Sequence, residues 1–399
     1  MAVDSKRLDH FQTGIFARMT EKKTELERAG RTVHSLYVGT PDFPVGQHVI
    51  DALCQSAQDP EAWKYTLVDS DELLDAVIDY YRRRYGVAIE RDMITAVHGT
   101  QEGCGHIGMA LCNKGDVVLL PNPGYPVFEA GAYFGEADIH YYPLTKETDF
   151  LPRMADIPTD ILKRTKFIIL SYPSNPTGAL ATREMYEEVI SYAREYGFIV
   201  IHDNAYSDIV HDGNKCGSFL SLEGAVDVGM EFFSLSKSFN VTGARISFAI
   251  GRRDIIAAIK KLRSQIDFGM FLPVQKAAIA AMQTPREVIE AQGAEYQRRR
   301  DALCGGLRSI GWNVPDSKGT MFVWAPIPDG YSSTEEFWEA LVDRAGVLCT
   351  PGTAFGTLGE GYVRFALTRP AEDIQKIVDA IDKSGVIKHK KPSTYGLDM

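Results

Sequence analysis

No stretch of this 399-residue chain approaches the ~18 consecutive apolar residues a membrane-spanning helix needs, so no membrane partner is expected. An excess of positive charge is missing too. The formal net charge of -10 argues against nucleic-acid binding, which calls for a basic face. The basic run Lys388-His389-Lys390-Lys391 is too short to alter that. Cysteine is sparse: Cys54, Cys104, Cys112, Cys216, Cys304 and Cys349 lie far apart with no CxxC pair, a pattern of reduced thiols rather than a disulfide framework. Met1 to Gly30 lacks the apolar core of a secretory leader. These absences predict a cytoplasmic protein. His98, Cys104 and His106 match neither paired-cysteine zinc spacing nor HExxH, and no metal site is expected.

What is present is a globular composition, 45% hydrophobic and 24% charged, in a chain too long for one core. From about residue 90 to 285, short apolar runs alternate with helix-period segments, the α/β signature. Val117 to Leu120, Phe167 to Leu170, Phe198 to Ile201 and Ile246 to Ile250 read as buried strands. Met185, Val189, Ile190 and Ala193 form an apolar stripe at helical spacing between two of them. A mostly parallel sheet covered by helices follows, with functional groups at the carboxyl ends of its strands.

The texture changes after Met282. Pro285 to Gly311 reads as one long helix interrupted at glycine, and Thr320 to Ala325 and Tyr362 to Leu367 as strands. Ser333 and Glu336 form a capping box, and Pro370 opens a last helix. The expected division is a large domain over 45–285 and a smaller α+β domain built from 1–44 and 286–399.

Gly103-Cys104-Gly105-His106-Ile107-Gly108 matches the dinucleotide fingerprint GxGxxG and raises a nicotinamide-dependent oxidoreductase as a rival. Its context fails. The next strand ends Leu120-Pro121-Asn122-Pro123, without the acidic residue that would hold a ribose. These glycines fall inside a helix starting at Thr100 or Gln101, where they let it pack close to the sheet. That helix start, His98-Gly99-Thr100-Gln101, is itself an anion site.

A second constellation fits pyridoxal phosphate. In Ser234-Leu235-Ser236-Lys237 with Arg245, hydroxyls and a guanidinium can grip a phosphate while the lysine condenses with an aldehyde. Most lysines beside serines are merely solvated, so the weight falls on the other strand ends. Asn175, in a turn after one strand, can donate to a phenolate, and Tyr206 can join it. Asp203, closing another strand, can keep a pyridinium nitrogen protonated rather than cap a helix. Tyr125 can stack on a flat ring or serve as a core aromatic. Arg364, opposite its apolar strand neighbours, fits either a solvated face or a bidentate carboxylate clamp.

Tyr37 to Pro44, Asn122 to Pro126, Ser174 to Gly178, His202 to Tyr206, Ser234 to Lys237 with Arg245, and Pro351 to Gly356 with Arg364 run in one order along nearly the whole chain. In these stretches the sequence resembles the class I/II aminotransferase family, fold-type I pyridoxal-phosphate enzymes, nearest the branch of alanine transaminases and LL-diaminopimelate aminotransferases. The resemblance implies a three-layer fold around a mostly parallel seven-stranded sheet. It implies that Lys237 binds the cofactor aldehyde and shuttles a proton, that Asp203 pairs with the ring nitrogen, and that Asn175 and Tyr206 meet the phenolate. Tyr125 would stack, while Thr100, Gln101, Ser234, Ser236 and Arg245 would bind phosphate. Gly39, Asn175 and Arg364 would bind substrate. Tyr65 would reach the phosphate across a homodimer interface. Substrates would be an L-amino acid, such as alanine or LL-diaminopimelate, and a 2-oxo acid such as 2-oxoglutarate. A carbon–sulfur β-lyase shares the constellation and stands as the alternative.

Overall fold

A computed structural model describes residues 4–11 and 14–387, the side chain of Phe16 excepted. The basic tail at 388–391 lies outside the described residues. The strands are β1 (His34–Ser35), β2 (Ile94–Val97), β3 (Val117–Asn122), β4 (Asp138–Pro143), β5 (Thr165–Ser171), β6 (Ile199–Asn204), β7 (Gly229–Ser234), β8 (Ser247–Gly251), β9 (Phe322–Pro326), β10 (Val347–Leu348), β11 (Thr350–Pro351) and β12 (Tyr362–Ala366).

The apolar runs assemble into a seven-stranded sheet of order β2-β8-β7-β6-β5-β3-β4. Only β8 runs against its neighbours. Strands buried on both faces need apolar residues throughout, which is why they read as continuous runs. On one face Ile199, Ile201 and Phe232 meet Cys104, Ile107 and Phe128. On the other, Val200, Phe233 and Phe248 meet Val77, Val189 and Ala278. The predicted helical stripe lies on the Arg183–Tyr196 helix, whose start is capped by Thr182 Oγ1 accepting from the Met185 amide at 3.2 Å.

A second core joins both ends of the chain. Met19, Leu26 and Leu36 pack with Leu303, Leu307, Trp312, Phe365 and Ile377. Over them lies the antiparallel sheet β11-β12-β9, and β1 pairs in parallel with β10.

Four local expectations are corrected. The Arg286–Ser309 helix runs unbroken through Gly305 and Gly306, because Gly306 serves packing: a Cβ there would stand 2.8 Å from Val378 Cγ2. The capping box closes on one arm only. Ser333 Oγ accepts from the Glu336 amide at 3.1 Å, but Glu336 Oε2 returns to the amide and hydroxyl of Ser332. The strand expected from Thr320 starts at Phe322, since Thr320 has φ +68. Finally, Gly103 does meet the sheet, at Phe232, but Gly108 meets a neighbouring helix: its Cβ would lie 2.1 Å from Gly131 O.

Candidate active site

A cleft of about 450 Å³ opens where the strand ends of the large sheet face β9 and β12. Of the side chains singled out as site candidates, all but Tyr65 line it. Tyr65 is 78% exposed, its ring edge-on to Phe268 at 5.1 Å.

The floor is set by strand alternation. Asp203 ends the face of β6 that carries Ile199 and Ile201, and it is buried. Its Oδ2 accepts from Ser171 Oγ at 3.3 Å, while Oδ1 has no protein partner. Burial pushes the carboxyl up to about 6, partly opposed by His202, Ser171 and Lys237.

Lys237 stands in the short helix Leu235–Ser238 that ends β7, started by Ser234 Oγ accepting from the Ser236 amide. Its Nζ donates to Gly39 O at 2.6 Å. Burial, then Arg364, then Arg245 bring the amine down to about 8, against the pull of Asp203. Two supports fix the lysine's backbone: Gln292 Nε2 donates to Lys237 O at 2.9 Å, and Ser238 Oγ to buried Asp208 at 2.7 Å.

The anion end of the cleft is the start of the Thr100–Leu111 helix. Gly99 has φ +86, and a Cβ there would sit 2.3 Å from Arg245 Nη2, so glycine leaves room for the guanidinium beside the helix start. Thr100 Oγ1 donates to Ser247 Oγ at 3.3 Å, and Tyr125 OH donates to Gln101 Oε1 at 2.9 Å. Opposite, Arg364 is buried rather than solvated. It donates from Nη1 to Asn175 Oδ1 at 2.7 Å and from Nη2 to Tyr37 O at 3.1 Å. With its oxygen so engaged, Asn175 turns its NH₂ away from Arg364.

Sequence reasoning missed the aromatic platform. The Arg364 guanidinium lies 4.0 Å from the Phe322 ring centroid and 4.6 Å from that of Phe355. Phe322 also lines the cleft, and no sequence signal separates it from core aromatics. The buried network behind Asp203 was missed as well. Glu231 accepts from Tyr81 OH (2.6 Å), Ser218 Oγ (2.9 Å) and the Phe219 amide (2.9 Å), and pairs with His202 Nδ1 at 2.9 Å. A lone acid inside the apolar run Met230 to Phe233 was the available clue.

The Gly103–Gly108 fingerprint lies within the Thr100–Leu111 helix, not in a strand-to-helix turn, and β3 ends at Asn122. That removes the dinucleotide reading. The model of the family "Aminotransferase class I and II" matches residues 31–381. The chain is a class I/II aminotransferase.

Members of this family are transaminases that work with pyridoxal phosphate, and so is this one. The residues present fit that cofactor: a neutralisable half-buried amine, an unpartnered buried carboxylate oxygen and a guanidinium at a helix start share one cleft. An LL-diaminopimelate aminotransferase from Moorella thermoacetica is 41% identical, covering 95% of this chain and 97% of its own. Substrate-bound BacF from Bacillus subtilis superposes with a TM-score of 0.92 at 32% identity, over 96% and 98% of the two chains. A probable N-succinyldiaminopimelate aminotransferase from Thermus thermophilus does so at 0.88 and 32%, over 93% and 100%. The β-lyase alternative finds no support among these relatives. No helix among the described residues is long and apolar enough to cross a membrane.

Proposed function

We propose that this aminotransferase takes the amino group of LL-diaminopimelate, with 2-oxoglutarate and glutamate as the second pair, through the residues gathered in the cleft. Support for the substrate is the 41% identity to the Moorella enzyme over nearly all of both chains. The observation that carries the site is the buried Asp203 Oδ1, left without a protein partner in the cleft that Lys237 also lines.

Bound pyridoxal phosphate supplies an aldehyde for amines and a ring that spreads the electron pair released at substrate Cα. The protein's part is positioning and proton transfer. Arg245, Ser234, Ser236, Thr100 and Gln101 hold the phosphate, with Tyr125 stacked on the ring. Asp203 keeps a proton on the ring nitrogen, and the opposite charge gained there offsets the burial that raises its carboxyl. Asn175 and Tyr206 donate to the phenolate. Arg364, Asn175 and Gly39 hold the substrate α-carboxylate. Lys237 Nζ, near neutrality in its affinity for protons, takes the Cα proton and later returns one.

The reading extends to a cytoplasmic homodimer of two-domain subunits. All six cysteines are free thiols, in keeping with a reducing compartment. The two chain-end segments, in their described residues 4–11, 14–44 and 286–387, form the small domain beside 45–285, supported by their shared core. Tyr65 sits in an exposed apolar patch with Trp63, Leu67, Val68 and Phe268, the kind of surface a second subunit covers. Its hydroxyl then serves the partner's phosphate.

The test is the absorbance spectrum of the purified enzyme on adding LL-diaminopimelate, L-alanine, L-glutamate or L-aspartate. Conversion to the pyridoxamine form by LL-diaminopimelate and glutamate is expected. Conversion by alanine but not LL-diaminopimelate overturns the substrate. Unchanged turnover in Lys237→Ala overturns the site.

A further inference from the structure

Residues 36–44 form a strap along the cleft, with Val38, Gly39 and Thr40 in its lining. One end is pinned by the Leu36 amide donating to Leu348 O at 2.8 Å and by the Ala366 amide donating to Leu36 O at 2.7 Å. The other is held by Asn240 Nδ2 donating to Pro44 O at 3.3 Å. In between, Gly39 O accepts from Lys237 Nζ, a bond that cannot persist when that amine is engaged elsewhere.

Tyr37 O accepts from Arg364 Nη2 at 3.1 Å, and beyond Gly39 a further tether is an arginine outside the cleft. Arg299, in the Arg286–Ser309 helix, donates from Nη1 to Asp42 Oδ1 at 2.6 Å and to Leu367 O at 3.0 Å. Its Nε donates to Glu295 Oε1 at 2.9 Å, and its carbon Cζ lies 4.7 Å from the Phe43 ring centroid. The side chain is only 5% exposed. Asp42 is three residues from Gly39, and Leu367 three from Arg364. One planar guanidinium therefore ties the strap bearing Gly39 to the end of the strand bearing Arg364. A lysine, with a point charge and no fixed fork, cannot hold this set in one plane.

We propose that Arg299 is a positioning residue for transamination: by joining Asp42 to Leu367 it sets the spacing between Gly39 and Arg364, and so the fit of the substrate α-carboxylate. This rests on the assignment of those two groups to that carboxylate. A misplacement of about 1 Å at such a clamp costs up to ~10²-fold in rate.

The experiment compares the holoenzyme with Arg299→Lys, Asp42→Ala and, as reference, Arg364→Lys. Single-turnover loss of cofactor absorbance is followed with L-glutamate and with 4-aminobutyrate, the same molecule without its α-carboxylate. Expected is a fall of about 10-fold or more in kcat/KM for glutamate in Arg299→Lys and Asp42→Ala, with the 4-aminobutyrate rate and cofactor affinity retained. Asp42→Ala cuts the tie from the strap side and leaves Arg299 bonded to Leu367 O and Glu295, so it decides the matter if Arg299→Lys folds poorly. Equal losses for both amines, or no loss for either, overturn the role of Arg299. Should Arg364→Lys leave the preference for glutamate intact, the carboxylate assignment falls, and this inference with it.

Discussion

Two buried carboxylates sit on neighbouring strands of one sheet and have opposite fates. Glu231 on β7 faces the side packed by Tyr81 and Tyr186, pairs with His202, and has both oxygens bonded. Burial alone would raise its carboxyl, but these bonds hold it below the ordinary value. Asp203 on β6 faces the cleft with one weak bond, and burial takes it up to about 6. A buried charge that the fold satisfies is architecture; one that it leaves unsatisfied awaits a cation from elsewhere. Position in the sheet decides between them, not residue type.

The largest expected break in this contrast is Asp203→Asn. Losing the one carboxylate aimed at the cofactor is expected to lower kcat/KM by ~10²–10³-fold, as for removal of a preorganised electrostatic partner, with the thermal midpoint kept or raised. Steady-state transamination and a melting curve on one preparation check both halves. Glu231→Gln is expected to do the reverse, removing about 3 kcal/mol in urea unfolding while activity per folded molecule stays within a few-fold. A large activity loss there without destabilisation would erase the distinction.

The pH dependence of stability sharpens the comparison, because the two signs are opposed. In the cofactor-free protein, Asp203 is raised from 3.8 to about 6, so the folded state binds the extra proton between those values. Its stabilisation is full below 3.8 and is lost as pH rises through about 6, an effect of about 3 kcal/mol at most. Glu231, held low, contributes stability above its ordinary 4.5 that is lost on acidification through its folded value. Urea midpoints across this range should lose the first slope in Asp203→Asn and the second in Glu231→Gln. Smallest is Ser171→Ala. Removing the 3.3 Å bond to Asp203 should change kcat/KM only by a few-fold and move the cofactor-free Asp203 carboxyl further upward, measurable by carbonyl NMR titration.

Much of this was legible because strands buried on both faces leave long apolar runs, and because the candidate site lies at strand ends, with Asp203 closing β6 and Asn175 and Lys237 just after β5 and β7. What was illegible depends on which chain segments meet. Arg364 alternates like a solvated residue, and Asn175, the Tyr37 carbonyl, Phe322 and Phe355, from distant segments, make its burial tolerable. Glu231 and Asp203 look alike in sequence, since strand register and neighbouring helices supply the partners of one and not the other. Tyr65 carries no such signal either: its ring is exposed, edge-on to Phe268.

The interleaving of the chain ends also orders events during synthesis. All strands of the large sheet have been made once Gly251 leaves the ribosome, Lys237 and Asp203 among them. Gly39, made early, must wait until β10 emerges to pair with β1, and Arg364 follows later still. At ordinary elongation rates that interval is on the order of ten seconds. On the roles proposed for these residues, a nascent chain would carry a lysine and an anion cradle for a phosphorylated aldehyde well before the groups that select a substrate are in place.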